Sequence, residues 1–361
     1  MAFVSANRTP WWAWAWPLAA WLLLVLHFIV PSNVVTTSLE ALALIATVFA
    51  AVYHAEVVAA RVGEPFGSLV LALAVTIIEV ALIVSVMITG GSDTAGLARD
   101  TIFAAVMIVC NGIVGICLLG GGVRHREQDF QLQGAKAAMS VLIALTALAM
   151  VFPNVTTTTS VGTYSQSQLI FAAVVSLVLY GSFLFVKTVR HRDYFLPVGG
   201  GAEEHSEPPP NKVAATSAVL LVVALVAIVG LAKVLTPTVE HAIAEAGAPK
   251  SVVGIVIAAL VLLPEGLAAF RSSRANRLQT SMNLALGSAL ASIGLTIPAV
   301  AVVSLLLHTP LTLGLGPKEV VLLLVTLILS QSTLGTGRTT VLQGIVHLVV
   351  FAAFLFLSVV P

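Results

Sequence analysis

Charge is what this sequence has least of. Of its 361 residues only 9% are Asp, Glu, Lys or Arg, while 58% are hydrophobic. A soluble domain carries roughly a quarter charged residues, so a water-soluble globule is excluded. The net charge of +1 leaves no basic surface for a nucleic-acid partner. Cysteine is nearly absent. Cys110 and Cys117 fall two turns apart on one apolar segment, too far for a disulfide, and read as small buried hydrophobes. Tryptophan is absent after residue 21: Trp11, Trp12, Trp14, Trp16 and Trp21 all crowd the first apolar run. Enzyme signatures are missing too. There is no HExxH, GxSxG, Walker loop or paired Asp-rich motif, so no enzyme is expected.

What is present is a series of apolar runs. About 20 apolar residues cross a bilayer as a helix. Eleven such runs are legible, over 11–30, 35–58, 67–89, 101–122, 134–153, 167–187, 213–235, 251–270, 280–307, 318–335 and 340–360. The first has Arg8 ahead of it but no small-residue cleavage site, so it reads as a real helix and not a signal peptide. Its tryptophans read as interface anchors. The expectation is an all-α polytopic membrane protein.

The longest hydrophilic stretch, 191–212, holds Gly199–Gly201, Glu203, Glu204, Glu207 and Pro208–Pro210. That composition is a flexible linker. It separates six helices from five. With alternating sides, one side collects Arg8, Arg61, Arg124, Arg126, Lys136, Lys187, Arg190, Arg192, Lys212, Arg271, Arg274, Arg277 and Arg338. The other has only Arg99, Lys233, Lys250 and Lys318. The positive-inside rule then puts the N-terminus and the linker in the cytoplasm and the C-terminus outside.

Two acids stand alone in membrane-length runs. Glu79 lies in the third span and Glu265 in the eighth. Carboxyl groups at that depth are costly and mark ion or proton pathways. The two spans lie five apart and are therefore antiparallel. This is the pattern of an inverted repeat with a midplane site. The expected layout is an extra N-terminal helix (1–34), a first repeat (35–190), the cytoplasmic linker (191–212) and a second repeat (213–361).

Around the acids, Thr76 shares a helix face with Glu79. Pro264 and Gly266 flank Glu265; proline frees a carbonyl and glycine eases local unwinding. A carboxylate beside a free carbonyl suits a hard cation such as Ca²⁺. Ser281, Ala285, Ser288, Ser292 and Thr296 line one face of the ninth span. Ser288 is either a cation ligand or packing glue. Asn111 in the fourth span is a ligand amide or an interhelical hydrogen-bonder. His347 in the last span either relays protons or is a packing histidine.

These residues resemble a known family. Gly63-Glu64-Pro65-Phe66-Gly67-Ser68, Thr76-Ile77-Ile78-Glu79, Pro264-Glu265-Gly266 and Gly287-Ser288 are similar to the motifs of the cation/Ca²⁺ exchanger superfamily. Arg99-Asp100-Thr101 and the run from Ser332 to Thr339 resemble its bacterial ChaA-type antiporters. The resemblance implies Glu79 and Glu265 as cation-binding acids, with Ser288 as the serine of the second repeat's Gly-Ser pair and Asn111 as a repeat asparagine. It also implies exchange of Ca²⁺, Na⁺ or K⁺ for protons across a bacterial inner membrane, with no resident cofactor. The sequence departs from the family where Val75-Thr76 and Val261-Leu262 stand for Gly-Asn pairs, and where Val106-Met107 replaces a Gly-Ser pair. Ala291 replaces a frequent glutamine. Fewer amides leave a monovalent Na⁺ or K⁺ exchanger open beside a Ca²⁺ exchanger, with a cation channel as the third reading.

Overall fold

A computed structural model describes residues 9–30, 32–63, 66–90, 95–197, 208–307 and 311–360. Among them run eleven helical rods. They are α1 (Trp11–His27), α2 (Val34–Val62), α3 (Phe66–Gly90), α4 (Leu97–His125), α5 (Leu132–Asn154), α6 (Gln166–Arg190), α7 (Asn211–Glu245), α8 (Ser251–Arg274), α9 (Leu278–Leu307), α10 (Pro317–Leu334) and α11 (Val341–Val359). Nine of these are long and apolar enough to cross a membrane; α1 and the apolar part of α3, Leu69–Ser85, are shorter. Arg8, Glu64, Pro65, Glu203, Glu204, Glu207 and Pro361 lie outside the described residues.

The expected spans are right in place; most are short in extent, while the first and last were expected a few residues longer than Trp11–His27 and Val341–Val359. The seventh was expected to end at residue 235 and continues to Glu245. At 1.5 Å per residue its 35 residues reach about 52 Å, well beyond a hydrocarbon core of about 30 Å. Hydropathy sees only the apolar part, whereas the backbone ladder continues through polar residues. Pro237 removes one donor, but Thr236 ties its hydroxyl to the Ala232 carbonyl at 2.8 Å and the helix persists. The linker also differs from expectation at its start. Arg192–Phe195 form a short 3₁₀ turn, fixed where Asn283 Nδ2 donates to the Phe195 carbonyl (2.6 Å) and Phe195 meets Phe183 edge-on.

The rods cluster into two compact units. The first holds α1, α2, α3 and α7. Here Pro17 has no N–H for the carbonyl of Ala13 four residues back. His54 of α2 fills that vacancy, its Nε2 donating to the Ala13 carbonyl at 3.0 Å. The Trp21 indole donates to the Val223 carbonyl of α7 (3.1 Å), and Trp12 packs edge-on against Tyr53. Glu40, a buried acid of α2, pairs with His27 at 3.0 Å. The extra N-terminal helix is thus bonded to both its neighbours.

The second unit holds α4, α5, α6 and α8–α11. Its loops pair twice. Gln128–Asp129 after α4 forms an antiparallel ladder with Arg338–Thr339 before α11. Thr163 before α6 bridges Thr312 before α10. Exchanging the halves of the chain, α4–α6 for α9–α11, turns one pairing into the other. Loops that alternation assigns to one side do meet: Gln128 Nε2 donates to the Ser273 carbonyl (2.9 Å), and Asn154 Nδ2 to the Leu315 carbonyl (2.6 Å). Within this unit the odd-even alternation of helix direction holds.

Candidate functional site

In the first unit, α3 carries the acid. Thr76 and Glu79 are both buried, with Ile78, Leu82 and Ile83, while Leu73 and Ile77 face outward. The 3.6-residue period therefore turns the polar pair inward. The Thr76 hydroxyl is sealed and has no hydrogen-bond partner among the described residues.

The other candidates lie in the second unit, and helix register brings them to one depth. Gly254 of α8 packs against Thr101 of α4, and Gly266 against Ile113, with the same offset in both pairs. The two helices are thus parallel, and Glu265 falls level with Asn111-Gly112. Glu265 is half-buried, with its Oε2 sealed from solvent. Across the short turn between α8 and α9, Glu265 and Ser288 each lie roughly 15 Å from the turn, again level. The Ser288 hydroxyl is sealed and without a partner among the described residues. Pro264 sits inside α8 and Pro298 inside α9, and each deprives a carbonyl one turn back, at Leu260 and Gly294, of its usual donor.

Asn111 sits in a wide π-turn, Ile108–Ile113, in the middle of α4. Such turns leave ladder groups over and recur at functional sites. Its side chain is the centre of a buried chain of hydrogen bonds. Asn111 Nδ2 donates to Thr326 Oγ1 of α10 at 2.8 Å. Asn111 Oδ1 lies 3.2 Å from His347 Nδ1 of α11, and His347 Nε2 lies 3.1 Å from Thr333 Oγ1. An amide oxygen only accepts, so the Nδ1 of His347 carries a proton. In the neutral ring Nε2 then accepts from Thr333. Thr326 in turn lies 3.3 Å from the Met107 sulfur. Asn111, Thr326 and His347 are all 0% exposed. Close crossing of α4 and α11 makes this possible: a Cβ on Gly344 would lie 2.5 Å from the Leu119 nitrogen.

Both alternatives for Asn111 and His347 thus share one geometry: they bond each other across helices. Thr326 and Ser330 escaped the sequence reading, and Thr333 entered it only within the ChaA-like run. They are buried together on α10, spaced four and three apart, the same signal that identified the stripe on α9. Among the described residues no group of three or more His, Cys, Asp or Glu could hold a metal. A cation in the second unit would be met by one carboxylate with hydroxyl, amide and carbonyl oxygens, a donor set suited to hard cations.

A family model described as sodium/calcium exchanger protein matches residues 15–189 and 216–360. The chain belongs to this family. Its relatives include the protein y4hA of Sinorhizobium fredii, named for ionic transport and 48% identical over 99% of this chain and 98% of its own. The sodium-potassium/proton antiporter ChaA of Escherichia coli is 35% identical over 90% of this chain and 89% of its own. Among solved structures, native YfkE superposes with a TM-score of 0.75 at 17% identity, covering 97% of this chain and all of that one. That likeness concerns the fold, and it spans the eleven rods of this exchanger-family chain.

Proposed function

We propose that this protein is a secondary antiporter that exchanges Ca²⁺, Na⁺ or K⁺ for protons across the bacterial cytoplasmic membrane. Its N-terminus lies in the cytoplasm and its C-terminus outside, as the distribution of Lys and Arg requires. Glu79 and Glu265 hold cation or protons alternately. Burial disfavours a charged carboxylate, and a bound cation favours it, so competition for the same oxygens couples the two fluxes. Thr76 serves Glu79, and Asn111 and Ser288 serve Glu265. The observation that carries the reading is the convergence of Glu265, Asn111 and the sealed Ser288 hydroxyl at one depth. ChaA, named for sodium-potassium/proton antiport, and a protein of Aphanothece halophytica named Ca²⁺/H⁺ antiporter, 24% identical over 75% of this chain and 77% of its own, support both kinds of cargo. Within this reading His347 is the proton-relay candidate, because it contacts Asn111 and Thr333 at once.

The test is exchange in vesicles. Glu79→Gln and Glu265→Gln keep shape and lose the exchangeable proton. Each is expected to abolish cation flux driven by a pH gradient while the protein stays folded and inserted. Near-normal flux in either variant refutes the shared role of the acids. A conductance that persists without any pH gradient would instead indicate a channel.

A further inference from the structure

Lys187 sits one turn from the end of α6 that leads into the linker. A lysine so placed ordinarily extends its ammonium past the helix end toward headgroup water. This one lies across a neighbouring helix. Its Nζ stands 3.6 Å from the point where a Cβ on Gly287 of α9 would be. Further along the same pair, Tyr180 fills the space over Gly294. The two helices are therefore antiparallel here, with Lys187 directly opposite Gly287. Lys187, Gly287, Gln279 and Asn283 share the lining of one small crevice with Phe183 and Phe195. Gly287 is the neighbour of Ser288, and the α8–α9 turn puts both level with Glu265. A positive charge is thus held at the depth of the acid, over a glycine of α9 that has no side chain to keep it away.

We infer that Lys187 is a specificity-determining residue of the exchange site, a fixed positive charge that weighs against divalent cations more than monovalent ones. The inference rests on the antiporter reading above. Coulomb energy scales with the product of charges. A divalent ion is therefore repelled twice as strongly as a monovalent one at the same spot. Over about 10 Å, one helix-to-helix spacing, and an effective dielectric of about 20, the extra charge amounts to roughly tenfold in relative affinity. A lysine that merely fills the glycine's gap would exert no such bias, because a neutral chain of equal length fills it equally well.

The experiment compares full-length wild type with Lys187→Met, Lys187→Gln and Lys187→Arg. Ca²⁺ and Na⁺ binding are measured by titration calorimetry on purified protein, and exchange of each ion in proteoliposomes under a pH gradient. The neutral variants are expected to raise Ca²⁺ affinity relative to Na⁺ by about tenfold, while the arginine variant keeps the wild-type ratio. Met and Gln together separate the effect of charge from that of packing. An unchanged ratio in both neutral variants overturns the inference, as does an equal change in the arginine variant. If wild type binds both ions yet shows no proton-driven exchange, the antiporter reading fails, and the binding ratio still decides the role of the lysine.

Discussion

Replacing His347 with leucine removes the link between α11 and the π-turn of α4. Two hydrogen bonds go, to Asn111 Oδ1 and to Thr333 Oγ1, both inside a fully buried cluster. An interhelical hydrogen bond in a membrane protein is worth about 0.6 kcal/mol on average and up to about 1.7. A buried group left without a partner costs about 1–3 kcal/mol. Leucine fills much of the vacated volume, so a loss of about 2 kcal/mol is expected. The chain supplies its own probe. Cys110, next to Asn111, is 0% exposed and reacts only when this region opens. Where closing outruns labelling, the rate tracks the open population. In a Cys117→Ala background, maleimide labelling of Cys110 should therefore accelerate about 30-fold in His347→Leu. His347→Gln, which keeps a donor and an acceptor, should recover most of the protection. The surface control Ile345→Ala, at a 45% exposed position of the same helix, should change little. A His347→Leu rate within twofold of the parent would refute the reasoning, as would equal acceleration by the control.

Two further outcomes follow from the layout. Deleting residues 200–210 should leave exchange intact, because the folded start of the linker, Arg192–Phe195, and the first residue of α7, Asn211, both remain; complete loss of vesicle transport in a well-inserted deletion contradicts this. A cysteine at the exposed Ala275 should label only with reagents reaching the cytoplasm, and one at Val360 only from outside; labelling of both from one side refutes the eleven-span topology.

Hydropathy made the rods legible because the bilayer imposes one length and one polarity on every span. It could not show where a helix continues into water, and so α7 came out ten residues short at its C-terminal end. The candidate site was legible where a polar residue is rare in its setting, as with Glu79, Glu265, Asn111 and His347. Thr326 and Ser330 were passed over, and Thr333 was noted only as part of a motif, because hydroxyl side chains are common in membrane helices and announce nothing singly. Their role comes from what faces them. The π-turn at Asn111 was also invisible, since Ile108–Ile113 has no composition unlike that of ordinary helix. Lys187 was counted only as a cytoplasmic charge; that its head lies on Gly287 depends on α9 passing opposite, which no local pattern encodes.

The clamp on α1 has a spectroscopic consequence. All five indoles ride on one helix, and that helix is hydrogen-bonded to α2 and α7 through His54 and Trp21. Both thiols lie in the other unit, on α4. Excitation of tryptophan therefore reports the surroundings of α1 alone, and thiol chemistry reports α4 alone, with no engineered label. A cation that alters indole emission without altering Cys110 reactivity acts on the Glu79 unit. One that does the reverse acts on the Glu265 unit. The uneven distribution of tryptophan thus gives the native sequence two independent optical and chemical channels, one for each acid.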